Sequence, residues 1–175
     1  INPEYGPAKA DFFRYLLMYT EGGAYFDIKS SMEFPLSKLI QYDDQYILSH
    51  WPCACQSAYT DNKNGEFQQW YIITRPKHPY LKAVINQVID NITNYDLEKT
   101  GTGKLAVLKV TGPIAYTNAI LPILFDHPHR IFRSHEYIGF IYDNTESLLS
   151  DHGKLFFNTH YSKLRTPVIL NIDNT

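Results

Sequence analysis

The stretch Ala8-Lys9-Ala10-Asp11-Phe12-Phe13-Arg14-Tyr15-Leu16-Leu17-Met18-Tyr19-Thr20-Glu21-Gly22-Gly23-Ala24-Tyr25-Phe26-Asp27-Ile28-Lys29-Ser30 changes its periodicity halfway along. Phe12, Phe13, Leu16, Leu17 and Thr20 recur at helical spacing, which predicts a helix over Pro7–Tyr19 stopped by Gly22-Gly23. Ala24–Ile28 follows directly and reads as a short buried strand ending in polar residues. Asp27 then stands at the C-terminal end of a strand, where open α/β sheets build their ligand crevices. Asp11 and Arg14 are neighbours at i,i+3, beside the apolar stripe rather than within it. On spacing alone they are either a surface ion pair worth about a few tenths of a kcal/mol or part of a site. Carboxylates so placed hold sugar hydroxyls or a metal on a diphosphate, and an arginine grips a phosphate bidentately.

Outward from this stretch the chain alternates helix and strand. Tyr46–Ser49 and Phe67–Thr74 read as strands, with a polar loop over Thr60–Gly65 between them. Leu81, Val84, Ile85, Val88, Ile89 and Ile92 make one apolar stripe, so a helix is expected over Tyr80–Tyr95 behind Pro79. A glycine-containing turn, Thr100–Lys104, leads to Leu105–Val110, and Pro113 opens a further helix, Ile114–Leu121. Arg130–Phe132 and Tyr137–Tyr142 are strand-like. Short connections between alternating elements argue for an α/β fold, and no linker divides the 175 residues, so one domain is expected over 1–175.

Composition narrows the function classes. Sixteen basic against eighteen acidic residues leave a net charge of -2, without the basic stripe that non-specific nucleic-acid binding needs. The longest uninterrupted apolar run, Ala119–Phe125, contains Pro122 and is far short of the roughly 18–20 residues of a membrane span. No transmembrane segment is therefore expected, and the location expected is cytoplasmic, with any membrane association made through partners. Cys53 and Cys55 are too few for a disulfide framework and read as reduced thiols. Aromatic residues are 15% of the chain, mostly the 14 tyrosines, a composition suited to sugar or nucleobase binding and to wet interfaces generally.

The motif resembles the sugar-binding region with a DXD motif in glycosyltransferase family 32. That group includes Golgi α-mannosyltransferases and capsular polysaccharide sugar transferases. The family pattern is Ser/Ala-Asp-x-x-Arg-Tyr, about eight residues, then Gly-Gly-x-Tyr-x-Asp-x-Asp. Asp11, Arg14, Tyr15, Gly22, Gly23, Tyr25 and Asp27 match it in type and spacing. Lys77-His78-Pro79-Tyr80-Leu81 and Thr111-Gly112-Pro113 echo the family's later motifs, so the likeness runs from Ala8 to about Thr117.

The resemblance implies a GT-A fold, a Rossmann-like sheet with the donor nucleotide on its N-terminal half. The strands that hold the base in the family precede the helix, so these residues would be the catalytic and C-terminal share of a GT-A unit. It implies transfer of a sugar, with retention, from a UDP- or GDP-sugar to a glycan or lipid-linked acceptor. Asp27 would hold the donor sugar and ribose, Asp11 the sugar hydroxyls, and Arg14 the sugar and phosphate. Tyr15, Gly23 and Tyr25 would frame the donor.

One departure bears on the cofactor. Lys29 stands where the family has the carboxylate that ligates a divalent metal, Mn or Mg, and a protonated lysine ligates no cation. Lys29 either substitutes its own charge for the metal's on the leaving diphosphate, or points to solvent while Asp27 binds a metal with help elsewhere. His160 in Asn158-Thr159-His160 resembles the family's C-terminal histidine segment and is the candidate second ligand. A sugar-binding or scaffold module without catalysis is the alternative from another class.

Glu66-Phe67-Gln68-Gln69-Trp70 lies in the region that approaches the anomeric carbon in retaining enzymes of this fold. Gln68 or Gln69 would hydrogen-bond the donor sugar and Trp70 would stack on a sugar face, with Gln68 and Trp70 sharing one strand face. His50-Trp51-Pro52 is a candidate acceptor wall. The histidines between Asp126 and His135 fit no compact zinc spacing and read as solvated loop.

Overall fold

The structure is a computed structural model, which describes residues 1–142 and 161–170. In chain order it contains α1 (Gly6–Glu21), β1 (Gly23–Phe26), β2 (Ser30–Met32), β3 (Tyr46–Ser49), β4 (Tyr71–Thr74), α2 (Pro79–Thr93), α3 (Leu97–Thr100), α4 (Gly103–Val110), α5 (Pro113–Ile120), β5 (Arg130–Phe132) and β6 (Phe140–Tyr142). Four strands form a mixed sheet in the order β1-β4-β3-β5, and β2 pairs with β6 in a separate ribbon. Among the described residues only β3 and β5 run parallel; β1–β4 and β3–β4 are antiparallel. The α/β class expected from the sequence is present, in a sheet that is less parallel than a Rossmann-like layout.

Period-2 alternation in the two central strands explains the layering. Tyr46, Leu48 and Ile72 face one side, where they pack with Tyr80, Leu81, Val84, Val88, Tyr116 and Ile120 of α2 and α5. Ile47, Tyr71 and Ile73 face the other, against Leu39, Trp70, Ile138 and Phe140. Both faces are covered, so β3 and β4 are buried throughout. A smaller cluster joins Tyr5 and Ala8 of the α1 end to Ala106, Val107 and Val110 of α4 and to Val168 and Ile169.

The structure corrects the face assigned to α1. Its buried positions are Ala8, Asp11, Arg14, Tyr15 and Met18, a helical stripe with two charged members. Phe13 is 64% exposed, and Leu16 and Leu17 also face solvent. Asp11 and Arg14 therefore lie inside the stripe that packs, which overturns the surface-pair reading. Likewise β1 is a half-exposed edge strand, not a buried one, and it ends at Phe26.

Between α1 and β1 the chain turns at Gly22, whose φ is +67°. A Cβ there would sit 2.6 Å from the Pro76 nitrogen, so the position needs glycine for both conformation and space. Gly22→Ala is expected to cost about 1–3 kcal/mol. Urea denaturation checks this; an unchanged midpoint would show that the turn relaxes.

Three further expectations are revised. The stretch Phe67–Thr74 is a strand only from Tyr71, with a single bridge from Phe67 to His50 ahead of it. Cys53 and Cys55 form a disulfide rather than two thiols. Gly103–Asp126 has the length and apolar composition of a membrane span, which counting unbroken apolar runs overlooked. Here it is folded as α4, α5 and a 3-10 turn, and most of it is buried in the protein.

Candidate active site around Asp27

The end of β1 meets the buried face of α1 through one ion network. Arg14, 5% exposed, contacts Asp11 (Nη2–Oδ1 3.2 Å) and Asp27 (Nη1–Oδ1 3.0 Å). Its Nη1 also donates to the backbone oxygen of Gln69 at 3.0 Å and to Gln69 Oε1 at 2.9 Å. Gln69 Nε2 in turn donates to Asp11 Oδ1 at 3.1 Å, and Thr111 Oγ1 donates to Asp11 Oδ2 at 3.0 Å. Both oxygens of Asp11 are thus engaged, and Asp11 is 4% exposed.

Asp27 is the member that reaches the surface, with 23% of its side chain exposed. Its amide donates to the Trp70 carbonyl at 2.7 Å, which pins the strand end. Tyr25 Oη donates to Asp27 Oδ1 at 2.9 Å, and the Arg14 guanidinium lies 4.8 Å from the centre of the Tyr25 ring. Asp27 Oδ2 accepts no hydrogen bond among the described residues, so the part-exposed carboxylate keeps acceptor capacity beyond the network.

The electrostatics follow from burial. Desolvation raises Asp11 to about 6 even though Arg14, Gln69 and Thr111 all favour its charged form. Desolvation alone would lower Arg14, but Asp11 and Asp27 beside it hold its pKa above the usual value. Burial also pushes Tyr25 up to about 12, so its hydroxyl stays protonated and donates.

Several expected site residues are placed elsewhere. Tyr15 is fully buried and donates to the Thr111 carbonyl at 2.9 Å, which makes it part of the core and not of a donor surface. Gln68 faces away from the network: its Nε2 donates to the His50 carbonyl at 2.7 Å and lies 2.7 Å from His135 Nδ1. Its Oε1 accepts from Trp70 Nε1 at 2.9 Å. Trp70 is 3% exposed and packed among Phe26, Tyr71, His135, Phe140 and Tyr142, which leaves no ring face for a sugar. The strand parity of Gln68 and Trp70 is as expected, but the face is the opposite one, and Gln69 is the glutamine at the network.

Gly23 opens β1 at φ +91° with open space where a Cβ would be. Lys29 lies in the turn after Asp27, exposed, with its ammonium 5.2 Å from the centre of the Tyr142 ring. His160 lies outside the described residues. The metal expectation can be tested on the donor set. Among the described residues no group of three His, Cys, Asp or Glu is placed to hold an ion. Asp27 is a single carboxylate, one oxygen of which already takes Tyr25 and Arg14. These residues do not make a divalent-cation site.

The buried Asp11–Arg14 pair thus stands behind a strand-end aspartate, Asp27. Residues 3–46 match the family described as glycosyltransferase sugar-binding region containing DXD motif. This bears out the resemblance drawn from Asp11 through Asp27: residues 3–46 carry a DXD-type glycosyltransferase sugar-binding region. Among curated proteins it is similar to the initiation-specific alpha-1,6-mannosyltransferase of Schizosaccharomyces pombe, at 29% identity over 124 residues, 66% of this chain and 31% of that protein. The protein of the same name from Candida albicans is 26% identical over 149 residues, 73% of this chain and 37% of that protein. The chain thus spans about a third of the length of these relatives. No solved structure matches.

Proposed function

We propose that this chain is the catalytic share of a glycosyltransferase that moves a sugar, mannose by the names of its relatives, from a nucleotide-sugar to a glycan or lipid-linked acceptor with retention. On this reading the mixed sheet is part of a GT-A fold. The observation that carries the proposal is the buried Asp11–Arg14–Gln69 frame, which holds the part-exposed Asp27 carboxylate at the end of β1.

The frame also changes the division of labour among these residues. Arg14 spends its donors on Asp11, Gln69, Asp27 and the Ala10 carbonyl, so it is a positioning residue and not a phosphate clamp. Asp11 orients Arg14 from the interior. Asp27 contacts the donor sugar and ribose, with Tyr25 beside it. Lys29, two residues on, is the cation nearest in sequence and stabilises the departing diphosphate. A nucleoside diphosphate leaves readily once its charge is matched, so the site needs no strong general acid.

The test is release of nucleotide diphosphate from a panel of UDP- and GDP-sugars. Turnover with one donor is expected, and Asp27→Asn should lower it by about ten- to a hundredfold. It should persist in excess chelator; complete loss restored by manganese would overturn the role of Lys29. The replacement of the second DXD carboxylate by Lys29 also supports a second reading, a carbohydrate-binding module without turnover. No release from any donor, together with binding of free glycan, would establish that reading instead.

A further inference from the structure

Cys53 and Cys55 stand outside the Asp11–Arg14–Asp27 network, bridged across a sequence separation of only 2. So short a cross-link removes less entropy from the unfolded chain than a long one, and its effect is chiefly local. Ala54, between the two cysteines, has φ +48°, and Gln56 just after them has φ +59°. Both are in the left-handed region, which a residue with a Cβ adopts only at a cost. The bridge spans Ala54 and confines it there.

The bent loop closes on a buried carboxyl. A Cβ at Gly65 would meet the Ala54 and Cys55 backbone at 2.4 Å, and the Glu66 amide donates to the Cys55 carbonyl at 2.9 Å. Glu66 is 5% exposed, and its Oε2 is buried with no hydrogen-bond partner among the described residues. The Lys104 charge, from α4, and the Trp51 indole, from the start of the loop, act on its carboxyl, and His50 stands by the neighbouring Gly65 carbonyl. Burial outweighs Lys104 and Trp51 and raises Glu66 to about 7. Letting water reach Glu66 therefore favours its ionised form, and above that pH ionisation favours an open loop.

Exposure decides which sulfur an outside reagent meets: Cys53 is exposed and Cys55 half-buried. Exposed disulfides are the labile ones, and they open by thiolate attack on one sulfur. We propose that Cys53 is a thiol-exchange site, at which a low-molecular-weight thiol of the glutathione class opens the bridge and with it the loop closed over Glu66. The external thiolate bonds to the Cys53 sulfur, the Cys53–Cys55 bond breaks, and Cys55 leaves as a thiolate that takes a proton from solvent. A second thiolate attacks the external sulfur of the mixed disulfide and frees Cys53, which is protonated in turn. Two external thiols are thereby oxidised to one disulfide, and one bridge is reduced to two thiols. Trp51, Pro52 and Ala54 also wall a cavity of about 620 Å³ with His50, Phe132 and Arg133, so the exchange resets that wall. The switch is independent of sugar transfer.

The test equilibrates the full chain at pH 8 in buffers of graded reduced-to-oxidised glutathione, then alkylates and weighs it to count free thiols. Two thiols should appear and disappear reversibly across the series. On reduction, hydrogen exchange at the Glu66 amide should speed up at least about tenfold, because that amide loses the Cys55 carbonyl. Cys55→Ser, which keeps the exposed Cys53, should take up one glutathione from oxidised glutathione about tenfold faster than Cys53→Ser does. Glu66→Gln should need about a tenfold higher ratio of squared reduced to oxidised glutathione for half reduction, because glutamine gains no ionisation when the loop opens. A bridge that stays closed throughout overturns the proposal, as does unchanged exchange at Glu66 after reduction. Equal uptake by the two cysteine variants, or equal midpoints for parent and Glu66→Gln, overturns it too.

Discussion

Arg14→Ala is expected to destabilise the fold by about 3–5 kcal/mol at pH 8, the range found when one partner of a buried ion pair is removed. Arg14 is the only cation in contact with Asp11 and Asp27 among the described residues, and Asp11 is only 4% exposed. Without the guanidinium, Asp11 keeps hydrogen bonds from Gln69 and Thr111 but loses its counter-charge. Its pKa, already raised to about 6 by burial, must rise further. A carboxyl whose folded pKa lies above its unfolded value stabilises the fold when protonated, and that contribution is lost as pH rises through the folded value. The deficit of Arg14→Ala relative to the parent should therefore be smaller at pH 5 than at pH 8. Urea denaturation at both values checks this. The double variant Asp11→Asn with Arg14→Met should recover part of the loss, because no unpaired charge is then buried. Arg14→Lys should not recover it, since an ammonium has no planar fork to reach Asp11, Asp27 and Gln69 together. A destabilisation of under 1 kcal/mol at pH 8, the same at pH 5, would show that water reaches Asp11.

The ways in which the sequence misled are themselves informative about this site. The motif positions from Asp11 to Asp27 were legible because spacing alone carries them, and the strands Tyr46–Ser49 and Arg130–Phe132 fall where their patterns put them. The orientation of α1 was not legible. Periodicity arguments look for apolar stripes, and the buried stripe here contains an aspartate and an arginine, so the more apolar face, with Phe13, Leu16 and Leu17, took its place. The choice between Gln68 and Gln69 was hidden for a related reason. Alternation separates Gln68 from Gln69, but only the contact between the end of β1 and the Trp70 carbonyl decides which of them turns toward Asp11. Trp70 read as a sugar platform because an aromatic beside polar residues gives no sign of being enclosed, and the enclosing residues, Phe140 and Tyr142, come from about seventy positions later. Glu66 carried no signal at all, since its isolation depends on the close approach of Gly65 and Glu66 to the Ala54–Cys55 backbone.

Glu66→Gln is expected to make the protein more stable at pH 8, by about 2–3 kcal/mol, and to leave it nearly unchanged at pH 4.5. The carboxyl sits at about 7 in the fold against 4.5 in the open chain. The folded state therefore binds the proton more tightly than the unfolded state does. Its contribution is complete below the unfolded value and declines as pH climbs from 4.5 through about 7, a total of about 3 kcal/mol as an upper limit. Glutamine is isosteric and never ionises, so it keeps the low-pH stability across the range. Asp11 adds a decline of the same sign, and His50 and His78, whose pKa values burial lowers, add opposing rises. All three are present in both proteins and cancel in the difference. Guanidinium denaturation of parent and variant at pH 4.5, 6 and 8 should give two curves that coincide at the acid end and diverge with rising pH. Parallel curves would mean that Glu66 titrates normally and finds a partner for its second oxygen. Divergence would separate Glu66 from an ordinary packing residue. A packing residue loses stability when replaced, whereas Glu66→Gln gains it as pH rises.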